Sequence, residues 1–110
     1  MAYDEKLADR IRGVVEDEPG LSERAMFGGL AFLVNGNMAV SASSAGGLLL
    51  RIDPAMTESL VDEPLVRRFE MRGRAMDGWL RVDAEAVEDD DNLSRWANHG
   101  LRYARSLAPK

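Results

Sequence analysis

The sequence has no cysteine and a single histidine, His99. That excludes a disulfide framework and thiolate metal sites, and one imidazole leaves little from which to build a zinc or other soft-metal centre. No apolar run approaches the ~20 residues that cross a bilayer. The acidic start Met1-Ala2-Tyr3-Asp4-Glu5-Lys6 has no signal-peptide core, so the reading is a cytoplasmic protein with no membrane partner. Internal repeats, low-complexity tracts and linkers are also lacking. Lysine is scarce: twelve of the fourteen basic residues are arginine, a bias that a GC-rich coding sequence would produce without any function.

What is present fits one ordinary folded domain: 110 residues, 45% hydrophobic and 30% charged. A chain of this size buries about two thirds of its unfolded surface and needs no covalent staples. A net charge of −5 argues against coating nucleic acid by bulk electrostatics. The charge is uneven, however. Residues 1–18 hold six acids against three bases, residues 83–91 six acids and no base, and residues 67–82 a local +3.

Residues 4–17 have the period of an amphipathic helix, with Asp4 as N-cap, Leu7, Ile11, Val14 and Val15 on one face, and Pro19-Gly20 ending it. Residues 22–29 form the approach to a sheet. No lysine follows Gly28-Gly29 and no helical period opens behind it, so the pair is a bend entering a strand rather than a phosphate loop. Met26 and Phe27 then serve as core anchors. Leu30–Val34 and Asn37–Ser43 form a hairpin across Asn35-Gly36, because both turn positions need positive φ. A two-residue loop sets Val34 opposite Asn37, Leu33 opposite Met38, Phe32 opposite Ala39, Ala31 opposite Val40 and Leu30 opposite Ser41. Both faces of this hairpin are partly apolar, which predicts a sheet covered at least in part on both sides.

Leu48–Ile52 is a third strand, and Asp53-Pro54 opens a short helix that buries Ala55, Met56, Leu60 and Val61. Residues 67–72 alternate, Gly73–Gly78 forms a turn, and Trp79–Val82 completes an arginine-rich second hairpin. The carboxylates Glu88, Asp89, Asp90 and Asp91 lack the spacing of a calcium loop and suit the start of a helix over 92–107. That helix sets Leu93, Trp96, Ala97, Gly100, Tyr103, Ala104 and Leu107 on one face, with His99 at its boundary. Gly100 in mid-helix predicts close packing on the sheet. The expected fold is α+β, in the order α-β-β-β-α-β-β-α, with a mainly antiparallel sheet covered by helices.

Met26-Phe27-Gly28-Gly29, the Asn35-Gly36 hairpin, Leu48-Leu49-Leu50-Arg51, Met76-Asp77-Gly78-Trp79-Leu80-Arg81-Val82 and Leu93-Ser94-Arg95-Trp96-Ala97 resemble the N-terminal domain of the TfoX/Sxy family. The resemblance covers nearly the whole chain. It implies a fold related to YjbR-like and secretion-chaperone-like domains, with helices on an antiparallel sheet. The founding members are regulators of natural competence and carry a second, C-terminal helical domain. Here the sequence stops at Lys110, so the expectation is a stand-alone N-terminal module. The family brings no catalytic residues to transfer.

No nucleophile–base constellation stands out, since Ser41, Ser43, Ser44 and Ser59 share one histidine. The expectation is a non-catalytic regulatory module without metal or cofactor. Its partner is an acidic protein met by Arg68, Arg72, Arg74 and Arg81. A second reading has the same hairpin binding nucleic acid, with Trp79 stacking on bases. In a third, Arg24 and Arg51, joined by Arg67 or Arg74, surround a carboxylate or phosphate. An exposed edge strand also allows a homodimer.

Overall fold

A computed structural model describes residues 3–26 and 28–109. The first helix, α1 (Glu5–Val15), starts where Asp4 accepts hydrogen bonds from the N–H groups of Lys6 and Leu7, at 3.0 and 3.1 Å. Six strands follow: β1 (Leu21–Met26), β2 (Gly29–Val34), β3 (Asn37–Ala42), β4 (Leu48–Arg51), β5 (Val66–Met71) and β6 (Arg74–Val82). A 3-10 turn at Pro54–Met56 and the short α2 (Thr57–Leu60) lie between β4 and β5. A second 3-10 turn (Ala84–Val87) and α3 (Asp90–Ser106) complete the chain.

All strand pairs are antiparallel, in the order β1-β2-β3-β4-β6-β5, so β1 and β5 are the sheet's edges. The helices cover one face. There Phe32, Val40, Leu50 and Leu80 pack against Ile11 of α1 and Leu93 and Trp96 of α3. The α+β architecture agrees with the sequence. The order gains one strand, β1, where the pattern suggested only an approach to the sheet. Its residues Ser22 to Ala25 are exposed, so the strand carries no alternating apolar signal and is defined by pairing with β2.

The first hairpin starts in the expected register, with Val34 opposite Asn37 and Leu33 opposite Met38. A bulge at Ala39 then shifts it by one residue, to Phe32–Val40, Ala31–Ser41 and Leu30–Ala42. Ala39 and Val40 consequently both join the helix-side core. The second hairpin also differs. Its turn is Arg72-Gly73, both at positive φ (55° and 78°), like Asn35-Gly36 (52° and 84°). Residues 74–78 of the predicted Gly73–Gly78 turn belong instead to β6, which bulges where the pairing jumps from Arg68–Leu80 to Phe69–Met76. In the segment before β5, Met56 is 42% exposed and Thr57 is the buried residue. The Thr57 hydroxyl faces the β6 bulge, donating to the Pro54 carbonyl and accepting from the Gly78 N–H, both at 2.8 Å.

Ion pairs fasten the elements outside the core. Arg12 of α1 holds Glu23 of β1 through two hydrogen bonds of 2.7 and 3.0 Å. Arg105 of α3 grips Glu18 in the same way, at 2.6 and 2.8 Å, and the Glu18 side chain is only 7% exposed. Hydrogen bonding to Arg105 lowers the Glu18 pKa below the ordinary value, against the opposing effect of burial. A lowered folded-state value means the pair stabilises the fold above the unfolded pKa, near 4.3. Glu18→Gln is therefore expected to cost about 1 kcal/mol at neutral pH. In urea melts the gap from wild type should narrow below about pH 4.3 and close once pH passes the lowered folded value. A gap that stays constant down to acid pH would show that the pair contributes through shape alone.

Candidate functional site

The face of the sheet away from the helices has a small core of its own. Ala31, Leu33, Met38 and Leu49 are buried there, with Met26, Phe69 and Trp79 packed against them. Met26 belongs to one edge strand and Phe69 to the other, so the sheet curls until both edges reach the same cluster. This is the apolar second face that the hairpin pattern implied. Phe27 lies outside the described residues.

One row crosses all six strands of this concave face. Arg24 pairs with Ala31, Ala31 with Ser41, Ser41 with Leu49, Leu49 with Arg81, and Arg81 with Arg67. The middle of the row is small or apolar, and its ends are cationic. Arg81 donates to the Ser43 hydroxyl and the Ala45 carbonyl, each at 3.2 Å. Arg67 donates to the Pro64 carbonyl at 2.9 Å and to Asp83 at 3.2 Å, and Asp83 also lies 3.8 Å from Arg81. Two guanidinium groups thus share one carboxylate. A cavity of about 280 Å³ opens above the row, walled by Met26, Gly29, Ser41, Ser43, Leu49, Phe69 and Arg81. Gly28 takes φ 76°, and a Cβ on Gly29 would overlap the Ala42 carbonyl oxygen, so both glycines meet backbone requirements at the cavity's rim.

The other arginines do not join this row. Arg51 sits beside Trp79 and Tyr103, its guanidinium carbon 5.7 Å from each ring centroid. Arg68 lies on the helix side, bonded at 2.9 Å to both Asp77 and Glu58, and those bonds raise its pKa. Arg72 and Arg74 flank Gly73 at the exposed tip of the β5–β6 ribbon, beside Met71, which is 38% exposed. Arg24, Arg72 and Arg74 have no ion pair among the described residues. Arg24, Arg51, Arg67 and Arg74 therefore do not close around one anion. Trp79 is half-buried between Arg51 and the second core, so its ring is already engaged.

The family model described as the TfoX N-terminal domain matches residues 14–104. The chain belongs to the TfoX N-terminal domain family. The matched span includes all six strands and almost all of α3. No individual curated protein matches the chain.

This TfoX N-terminal domain carries a further basic surface that the sequence pattern did not reveal. Arg95, Asn98, His99, Arg102 and Arg105 line the outer side of α3. Their helical spacing was the available signal, masked by the stronger apolar stripe on the opposite side of the same helix. Burial, and then the charges of Arg102 and Arg95, lower the His99 pKa below its ordinary value. The acidic stretch before α3 is used structurally: Asp89 accepts from the Asp91 N–H at 2.7 Å, and Asp90 pairs with Arg10 at 2.9 Å. Among the described residues there is no group of three or more His, Asp or Glu placed to hold a metal, and no helix long and apolar enough to cross a membrane.

Proposed function

We propose that this TfoX N-terminal domain is a non-catalytic regulatory module that binds an acidic segment of another protein on its β5–β6 ribbon. The observation that carries the reading is Arg72. A non-glycine residue at positive φ is uncommon, and asparagine or glycine suits this turn position far better than arginine. Such local violations concentrate at functional sites. The misfit charge stands at an exposed tip next to Arg74 and Met71, a pairing of cation and apolar surface that suits a protein partner. The family's link to competence regulators supports the regulatory part of the proposal. The same ribbon offers phosphate contacts to nucleic acid, but the engagement of Trp79 with Arg51 removes the stacking platform that such binding would use.

Arg72→Asn separates the turn from the charge. The substitution is expected to stabilise the hairpin by about 0.5–1 kcal/mol while lowering recovery of a partner in crosslinking from native lysate. Arg74→Glu should lower it further. Unchanged recovery with both variants would overturn the proposal. A low-salt gel shift of duplex DNA that both variants abolish would instead favour nucleic acid.

A further inference from the structure

We propose that the cavity behind the glycine pair binds a small organic acid, its carboxylate on Arg81 and its apolar body on Met26, Leu49 and Phe69. The proposal starts from Ser41. This serine is 3% exposed and stands between Ala31 and Leu49 in the middle of an otherwise apolar strip. Its hydroxyl donates to the neighbouring Ala42 carbonyl at 3.4 Å, beyond the normal range of about 2.5–3.0 Å for O–H···O. The other buried polar side chains do better: Thr57 bonds at 2.8 Å and Asn37 at 2.9 Å. A buried hydroxyl so weakly satisfied is costly, and this one lines a cavity.

Its surroundings match one ligand chemistry. A Cβ on Gly29 would stand 3.3 Å from Ser41 Oγ, so the glycine keeps the space beside the hydroxyl open. Ser43 accepts from Arg81, which leaves the Ser43 hydroxyl proton to donate into the cavity. The positive charge that Arg67 and Arg81 retain beside the single Asp83 favours an anion, and the planar guanidinium fork suits a carboxylate. Apart from Ser44 the remaining wall is apolar, as ligand pockets mostly are, and the volume of about 280 Å³ is near the lower end of their usual range of ~300–1,000 Å³. A compact acid with a ring or short branched chain fills such a space.

The test is an amide-resolved NMR titration of the whole chain with sodium benzoate, against inorganic phosphate and acetate as comparators. Benzoate should produce saturable shifts at Gly29, Ser41, Ser43 and Arg81, and acetate weaker ones. Ser41→Ala should keep or raise the melting temperature, yet weaken benzoate by about five- to tenfold, the equivalent of one hydrogen bond. Arg81→Gln should weaken it at least as much. Arg72→Asn should bind benzoate like wild type, which separates this cavity from the ribbon's partner. Absence of saturable shifts, equal affinity in Ser41→Ala, or phosphate shifting the same amides as strongly as benzoate would each overturn the proposal.

Discussion

Gly100→Leu is expected to abolish most of the protein's stability, and even Gly100→Ala should lose about 1–2 kcal/mol. In an ordinary helix the alanine change would gain about 1 kcal/mol, because glycine loses more backbone entropy on folding. Here α3 crosses β3 at its bulge, and a Cβ on Gly100 would overlap the Ala39 carbonyl oxygen and lie 2.9 Å from the carbonyl carbon. Ala39 is the unpaired residue of the bulge, but it is backbone of an interior strand whose neighbouring residues pair on both sides, so it cannot retreat as a flexible side chain would. The overlap outweighs the propensity gain. Leucine adds three more carbons to the same gap and should cost about 3–5 kcal/mol, a large share of the ~5–15 kcal/mol that holds a domain together. Urea denaturation followed by circular dichroism measures both. An alanine variant as stable as wild type would mean that α3 and β3 are not held at this spacing.

Gly100 was legible because a glycine in an otherwise strong helical pattern opposes the helix's own preference, and so marks a point where a side chain does not fit. Asn35-Gly36 was legible for the same kind of reason: a local pair of residues carries its own backbone demand. Arg72-Gly73 makes the same turn with a residue that disfavours it, so the signal fell on Gly73–Gly78 instead. The bulge at Ala39 has no local cause either. It lies where Gly100, far along the chain, packs against the Ala39 backbone. The concave-face row is harder still to read, since Arg24 and Arg67 reach it only through five successive strand pairings and a strand order in which β6 precedes β5. Composition placed the arginines on elements, but only the curl of the sheet decides which of them share a face.

The position of the ribbon depends on Thr57, and Thr57→Val tests how strongly. Valine keeps the side chain's shape and removes the hydroxyl, stranding the Gly78 N–H, while the Pro54 carbonyl keeps the backbone N–H of residue 57 as its donor. Gly78 is buried, at φ 87°, inside the bulge that redirects β6 toward its tip. An unsatisfied buried group costs about 1–3 kcal/mol, so the stranded Gly78 N–H should remove about that much. Thr57→Ser retains both hydrogen bonds and should lose only about 1 kcal/mol, the worth of one buried methyl group. The Ile52 N–H still donates to the Gly78 carbonyl at 2.9 Å in either variant, so the bulge is loosened rather than erased. Hydrogen exchange at Gly78 should therefore accelerate in Thr57→Val and stay near wild type in Thr57→Ser. If the ribbon is the partner surface, Thr57→Val should also weaken partner capture without touching an arginine, because Arg72 and Arg74 would no longer be held at a fixed angle to the concave face. Protection and stability equal to wild type would assign the bulge to its backbone bond alone.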